Sequence, residues 1–129
     1  MYHLTALVTL LTALFYFFTA LNVAKMRTRT GVIVPAMAGH PDFERAFRVQ
    51  LNTLEWLPIF LPSLWLFAIY IGDTLAAAIG AVWIIGRIVY AIGYSKEAIK
   101  RRPGFLIQAF ATIVLWVGAL GAVLWRLVH

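Results

Sequence analysis

A chain of 129 residues with 63% hydrophobic and only 12% charged side chains, and a mean hydropathy of +0.87, is too apolar to be a soluble domain. Its net charge of +6 would suggest nucleic acid in a soluble protein. Here the basic residues flank apolar runs of about twenty, so they read instead as membrane-orientation signals and attractors of anions. The absence of cysteine excludes disulfides, thiolate metal sites and a protein-borne thiol nucleophile, so any sulfur chemistry has to arrive with a ligand.

The first apolar run, about 4–24, has no basic stretch before it and no small-residue cleavage site ahead of Lys25. It therefore reads as a retained membrane helix. Lys25, Arg27 and Arg29 follow, and then Thr30–Asp42, TGVIVPAMAGHPD, whose two prolines and two glycines predict an ordered loop. His40 stands without acidic or His partners at metal or triad spacing, which leaves it a loop or capping role. No metal site is expected anywhere in the chain. Pro41, Asp42 and Glu44 suit the start of a second helix, with negative charge at its N-terminal end.

That second helix, with a predicted span of 46–71, carries the most informative stretch, FERAFRVQLNTLEWLPIF from Phe43 to Phe60. At about 100° per residue, Arg48, Asn52 and Glu55 fall within roughly 60° on one stripe. Ionisable groups at membrane depth are expensive, so they normally face protein or a water-filled cavity and mark function. A structural Arg–Glu pair tying helices together is the plainer alternative. Pro58 and Pro62 each remove a backbone donor, and a bend is expected there.

Gly72-Asp73-Thr74 is so short a connection that the third span, 75–94, must run antiparallel beside the second. Gly80, Gly86 and Gly93 allow close helix contact. Arg87, Tyr90 and Tyr94 share a stripe about 60° wide, which Arg101 joins if the helix persists. Lys96, Lys100, Arg101 and Arg102 then accumulate before Pro103 and Gly104, which are expected to interrupt the helix. The fourth span, 105–127, has Gln108 and Thr112 as its notable polar residues and gives no sign of chemistry.

Nine of the eleven Lys and Arg residues lie in or beside the first and third connections, whereas the second has only Asp73. The positive-inside rule places those two connections in the cytoplasm and both termini on the opposite face. The expected fold is all-α: a single four-helix integral membrane domain over 1–129. Its polar stripes converge on a cation-rich cytoplasmic cavity with one carboxylate. A ligand for it is anionic overall yet carries a positive group. A γ-glutamyl peptide such as glutathione fits, and so does a zwitterionic lipid headgroup.

The segment Arg48-Gln50-Asn52-Glu55, followed by GRIVYAIGY through Tyr94, resembles the family of membrane-associated proteins in eicosanoid and glutathione metabolism over essentially the whole chain. Within that family the sequence is more similar to the microsomal glutathione transferases and leukotriene C synthase than to the five-lipoxygenase-activating protein, a non-catalytic lipid-presenting relative. The resemblance implies a homotrimer with glutathione as co-substrate at each subunit interface, open to cytoplasm and bilayer. Carried over by residue, it assigns glutathione binding to Arg48, Asn52, Glu55, Tyr90 and Tyr94, with Arg27 and Gln50 from a neighbouring subunit. It assigns thiolate stabilisation to Arg101, with Arg102 one residue away in the same basic run. Two positions depart from the leukotriene synthase pattern. Trp56 replaces a tyrosine, leaving an indole donor at a binding position, and Thr28 replaces an arginine implicated at the lipid substrate, which argues against leukotriene synthesis. The implied activity is conjugation of glutathione to lipophilic electrophiles, with reduction of lipid hydroperoxides by the same thiolate as a second use. A lipid-binding scaffold without catalysis is the alternative. A small multidrug transporter is a weaker one, because such transporters carry their essential acid in the first helix.

Overall fold

The computed structural model describes residues 1–129 and contains four long helices and no strand. They are α1 (His3–Thr30), α2 (Pro41–Tyr70), α3 (Asp73–Lys96) and α4 (Arg102–Val128), with a single 3-10 turn, Ala98–Arg101, between the last two. All four are long and apolar enough to cross a bilayer.

The helices run past the apolar segments. The 28 residues of α1 rise about 42 Å at 1.5 Å per residue, more than the roughly 30 Å of a hydrocarbon core. Lys25, Arg27 and Arg29 are thus on its last turns, beyond the apolar core, and not in a loop. The helix stops at Gly31, whose left-handed φ of 78° suits a residue without Cβ. At the start of α2, His40 caps the helix by accepting from the Asp42 N–H at 3.1 Å, Pro41 occupies the first turn, and Asp42 and Glu44 face the positive dipole end. The chain stays helical through Pro58 and Pro62.

The core is mostly aromatic and aliphatic. Phe60 of α2 stacks on Trp83 of α3 with ring centroids 3.9 Å apart, alongside Leu64, Phe67 and Leu115. Buried Thr12, Thr53 and Thr112 return their hydroxyl protons to carbonyls four residues back, so these hydroxyl donors are satisfied in the apolar interior. At the end opposite the basic connections, the Asp73 carboxylate accepts from the free N–H groups of Leu4 and Thr5 at 3.2 and 2.8 Å, joining the α2–α3 connection to the N-terminus of α1.

The most extensive interface is α3 on α4, and glycine permits it. A Cβ on Gly86 would lie 2.8 Å from the Gln108 backbone nitrogen, and one on Gly104 would collide with the Tyr90 backbone. Pro103 and Gly104 therefore begin α4 where the sequence led us to expect an interruption. Pro103 sits in the first turn, where its missing N–H needs no partner, and Gly104 is the crossing point. Nor does α3 persist to Arg101. It ends at Lys96, Glu97 is extended at φ −151° and ψ 142°, and Arg101 is delivered by the 3-10 turn.

Candidate functional site

Four elements meet at the basic end of the bundle around a cavity of about 520 Å³. Arg48 and Asn52 come from α2, Tyr90 and Tyr94 from α3, Arg101 from the 3-10 turn, and Arg102, Phe105 and Leu106 from α4. The spacing explains each wall. Arg48 and Asn52 are four apart, as are Tyr90 and Tyr94, and each pair lies one above the other on its helix. Because α4 begins at Arg102, positions 102, 105 and 106 present one face.

Electrostatically the cavity is one-sided. It has three guanidinium groups and no carboxylate, and the only ion pair in the chain, Arg45 with Asp42, lies elsewhere. Arg101 donates from Nη1 to the Ala98 carbonyl at 3.1 Å, and its guanidinium carbon stands 5.7 Å from the centroid of Tyr94. Tyr94 in turn leans on Tyr90 with centroids 5.5 Å apart, and Tyr90 is 6.2 Å from Phe105. Arg101 and Arg102 both line the cavity, so either can reach an anion there.

The structure brings five of the nine sequence-assigned residues together: Arg48, Asn52, Tyr90, Tyr94 and Arg101. The other four lie outside the cavity of their own chain. Arg27 donates to the Ala36 carbonyl at 2.7 Å and covers the Phe43 ring at 4.6 Å, tying α1 to the loop before α2. Gln50 is half-buried on α2, and Glu55 is exposed without a hydrogen bond or ion-pair partner. Trp56 meets Phe105 edge-on, with centroids 5.6 Å apart and planes at 81°. On its other side Trp56 lines an apolar groove of about 410 Å³ with Ile59, Thr112, Ile113, Trp116 and Val117. The Trp56–Phe105 contact therefore separates a polar cavity from an apolar one.

Phe105 and Leu106 were not foreseen as site residues. The signal was present in Arg102-Pro103, a helix start that turns 105 and 106 toward the cavity. Arg87 shares the tyrosine stripe, as its spacing predicts, but lies behind the cavity wall and is fully buried.

The model of the MAPEG family matches residues 5–121. The chain belongs to the MAPEG family. Among its relatives, an uncharacterized protein of Synechocystis sp. is 51% identical over 122 residues, covering 95% of this chain and 89% of that one. Human microsomal glutathione S-transferase 2 is 40% identical over 119 residues, covering 92% and 81%. Rat leukotriene C4 synthase is 36% identical over 126 residues, covering 98% and 82%. Membership makes this an integral, multi-pass membrane protein, in keeping with its four apolar helices.

Proposed function

We propose that this protein is a membrane-bound glutathione transferase that joins the glutathione thiolate to lipophilic electrophiles dissolved in the bilayer. The observation that carries the reading is the basic-end cavity, with three guanidinium groups, two tyrosines and an asparagine amide and no internal counter-charge. Such a site demands an anion, and its size falls within the roughly 300–1,000 Å³ of ordinary small-ligand sites. The name of the human relative, a microsomal glutathione S-transferase, supports glutathione as that anion's source.

In this reading Arg48 and Asn52 hold the carboxylate and amide oxygens of the tripeptide, and Tyr90 and Tyr94 add hydroxyl contacts. Arg101 stands beside the sulfur. A guanidinium has donors and no acceptor, so it cannot take the thiol proton; it favours the thiolate by charge, and the proton leaves to water. The thiolate then attacks the electrophilic carbon, a C–S bond forms, and the displaced or opened group takes the electron pair. Held side by side, the reactants gain the advantage of a near-attack geometry. The apolar groove behind Trp56 is suited to the greasy partner, because it opens among lipid-facing residues and is bounded by Trp56, whose ring meets Phe105 of the polar cavity.

An exposed, unpartnered Glu55 on a membrane helix supports burial of this face by another chain. We place Glu55 on the ligand ammonium at that seam, with Arg27 and Gln50 contributed by the neighbour in a homotrimer. The basic connections are placed in the cytoplasm, where glutathione is supplied, and both termini on the opposite face.

Purified protein in detergent micelles, supplied with glutathione and a lipophilic aryl halide, is expected to form the thioether faster than micelles alone. A rate equal to the micelle background would refute the proposal.

A further inference from the structure

Arg87 is fully buried on α3, inside a membrane-spanning helix, and pairs with no carboxylate. An uncompensated guanidinium at that depth is costly and calls for a specific use. Its terminal nitrogens are both engaged. Nη1 donates to Asn52 Oδ1 at 2.8 Å, and Nη2 donates to Thr53 Oγ1 at 2.6 Å. Its guanidinium carbon also lies 4.2 Å from the centroid of the Tyr90 ring. Asn52 and Tyr90 line the cavity, and Arg87 supports both from behind.

The consequence lies in the chemistry of the two partners. A side-chain amide can present either its oxygen or its NH₂ group to a ligand, but a guanidinium can only donate. Whatever faces Arg87 must therefore be Oδ1, and the Nδ2–H₂ end of Asn52 is left for the cavity. Thr53 makes the arrangement rigid. Its hydroxyl donates to the Val49 carbonyl at 2.7 Å, so only lone pairs remain for Arg87. The guanidinium is thus clamped between two fixed acceptors on successive residues of α2, while the tyrosine ring covers its face.

We propose that Arg87 is a positioning residue that fixes the Asn52 amide with its N–H donors toward the cavity and pins the Tyr90 ring beside it. That wall then selects an acceptor oxygen, a carboxylate or peptide carbonyl of the bound tripeptide, and rejects a donor placed there. The inference rests on the glutathione reading above and adds to it a residue that never touches the ligand.

Calorimetric titration of glutathione into the purified protein in micelles tests it, beginning with the parent chain. Asn52→Asp keeps an oxygen for Arg87 and removes the donor. Its glutathione affinity is expected to fall about 10- to 100-fold, the range for hydrogen bonds to charged groups, with a melting temperature at or above the parent's. Arg87→Gln is expected to lose about tenfold in affinity, yet less than a further twofold when introduced into Asn52→Ala, because both changes remove the same contact. Bound-thiol ionisation, read from ultraviolet absorbance at saturating glutathione, is expected at the parent's pH in Asn52→Ala and Thr53→Val, which change no charge. If Arg87→Gln does not fold, Thr53→Val loosens the clamp instead and is expected to weaken binding about threefold, again without further effect in Asn52→Ala. Parent-like affinity in Asn52→Asp, or losses that multiply in the double variants, would overturn the inference and leave the transferase reading standing. A parent chain that binds no glutathione would overturn both.

Discussion

Replacing Arg101 by alanine isolates the chemical step from binding. Arg101 lines the cavity mouth, makes no ion pair and spends one donor on the Ala98 carbonyl, so most of its charge is available to a ligand. A unit charge 4 Å from a thiolate at an effective dielectric of 20 contributes about 4 kcal/mol. Arg101 is exposed, so solvent and salt reduce this to about 1.4–2.7 kcal/mol, or one to two pKa units. A free thiol titrates near pH 8.5, so glutathione bound beside Arg101 is expected to ionise at about pH 6.5–7.5. In Arg101→Ala the thiol pKa rises, and the thiolate fraction at pH 7 falls to a few per cent. Conjugation should slow about tenfold at pH 7 and recover toward pH 9. Thiolate absorbance titrated against pH at saturating glutathione reads the shift directly, and Arg102→Ala must be run beside it because both arginines line the cavity. If both variants titrate and turn over as the parent does, neither arginine activates the thiol and the mechanism is wrong.

Three further outcomes are expected. Glu55→Gln keeps the shape and deletes the charge, so glutathione affinity should fall about 10- to 100-fold by calorimetry, and unchanged affinity would remove Glu55 from the site. Native mass spectrometry in mild detergent should show a trimer that binds glutathione, whereas a fully active monomer would contradict a site shared between chains. Reporters fused before Tyr2 and after His129 should both lie outside the cytoplasm, and cytoplasmic signals from both would invert the topology.

The helices were legible because apolar runs of bilayer length leave little choice of structure, and the basic end because charge clusters where those runs stop. Helical periodicity was enough to align Arg48 with Asn52 and Tyr90 with Tyr94, and both pairs line the cavity. What periodicity cannot supply is the direction in which a stripe faces. Glu55 shares the stripe of Arg48 and Asn52 but lies at its edge, where the packing of α2 on α3 and α4 leaves it exposed. Arg87 shares the tyrosine stripe, yet the acceptors of α2 draw it behind the wall. Arg101 reaches the cavity by a different route from the one its spacing suggests, because extended Glu97 ends α3 and Gly93 lets the backbone of the 3-10 turn lie against it. Phe105 and Leu106 could not be distinguished from lipid-facing residues without knowing that α4 starts at Arg102.

The central claim is that the basic-end cavity binds glutathione, and equilibrium titration of glutathione into purified protein in micelles tests it most directly. Saturable binding is expected, with the affinity falling at least tenfold in Arg48→Ala. No saturable binding, or binding that Arg48→Ala leaves unchanged, would contradict it.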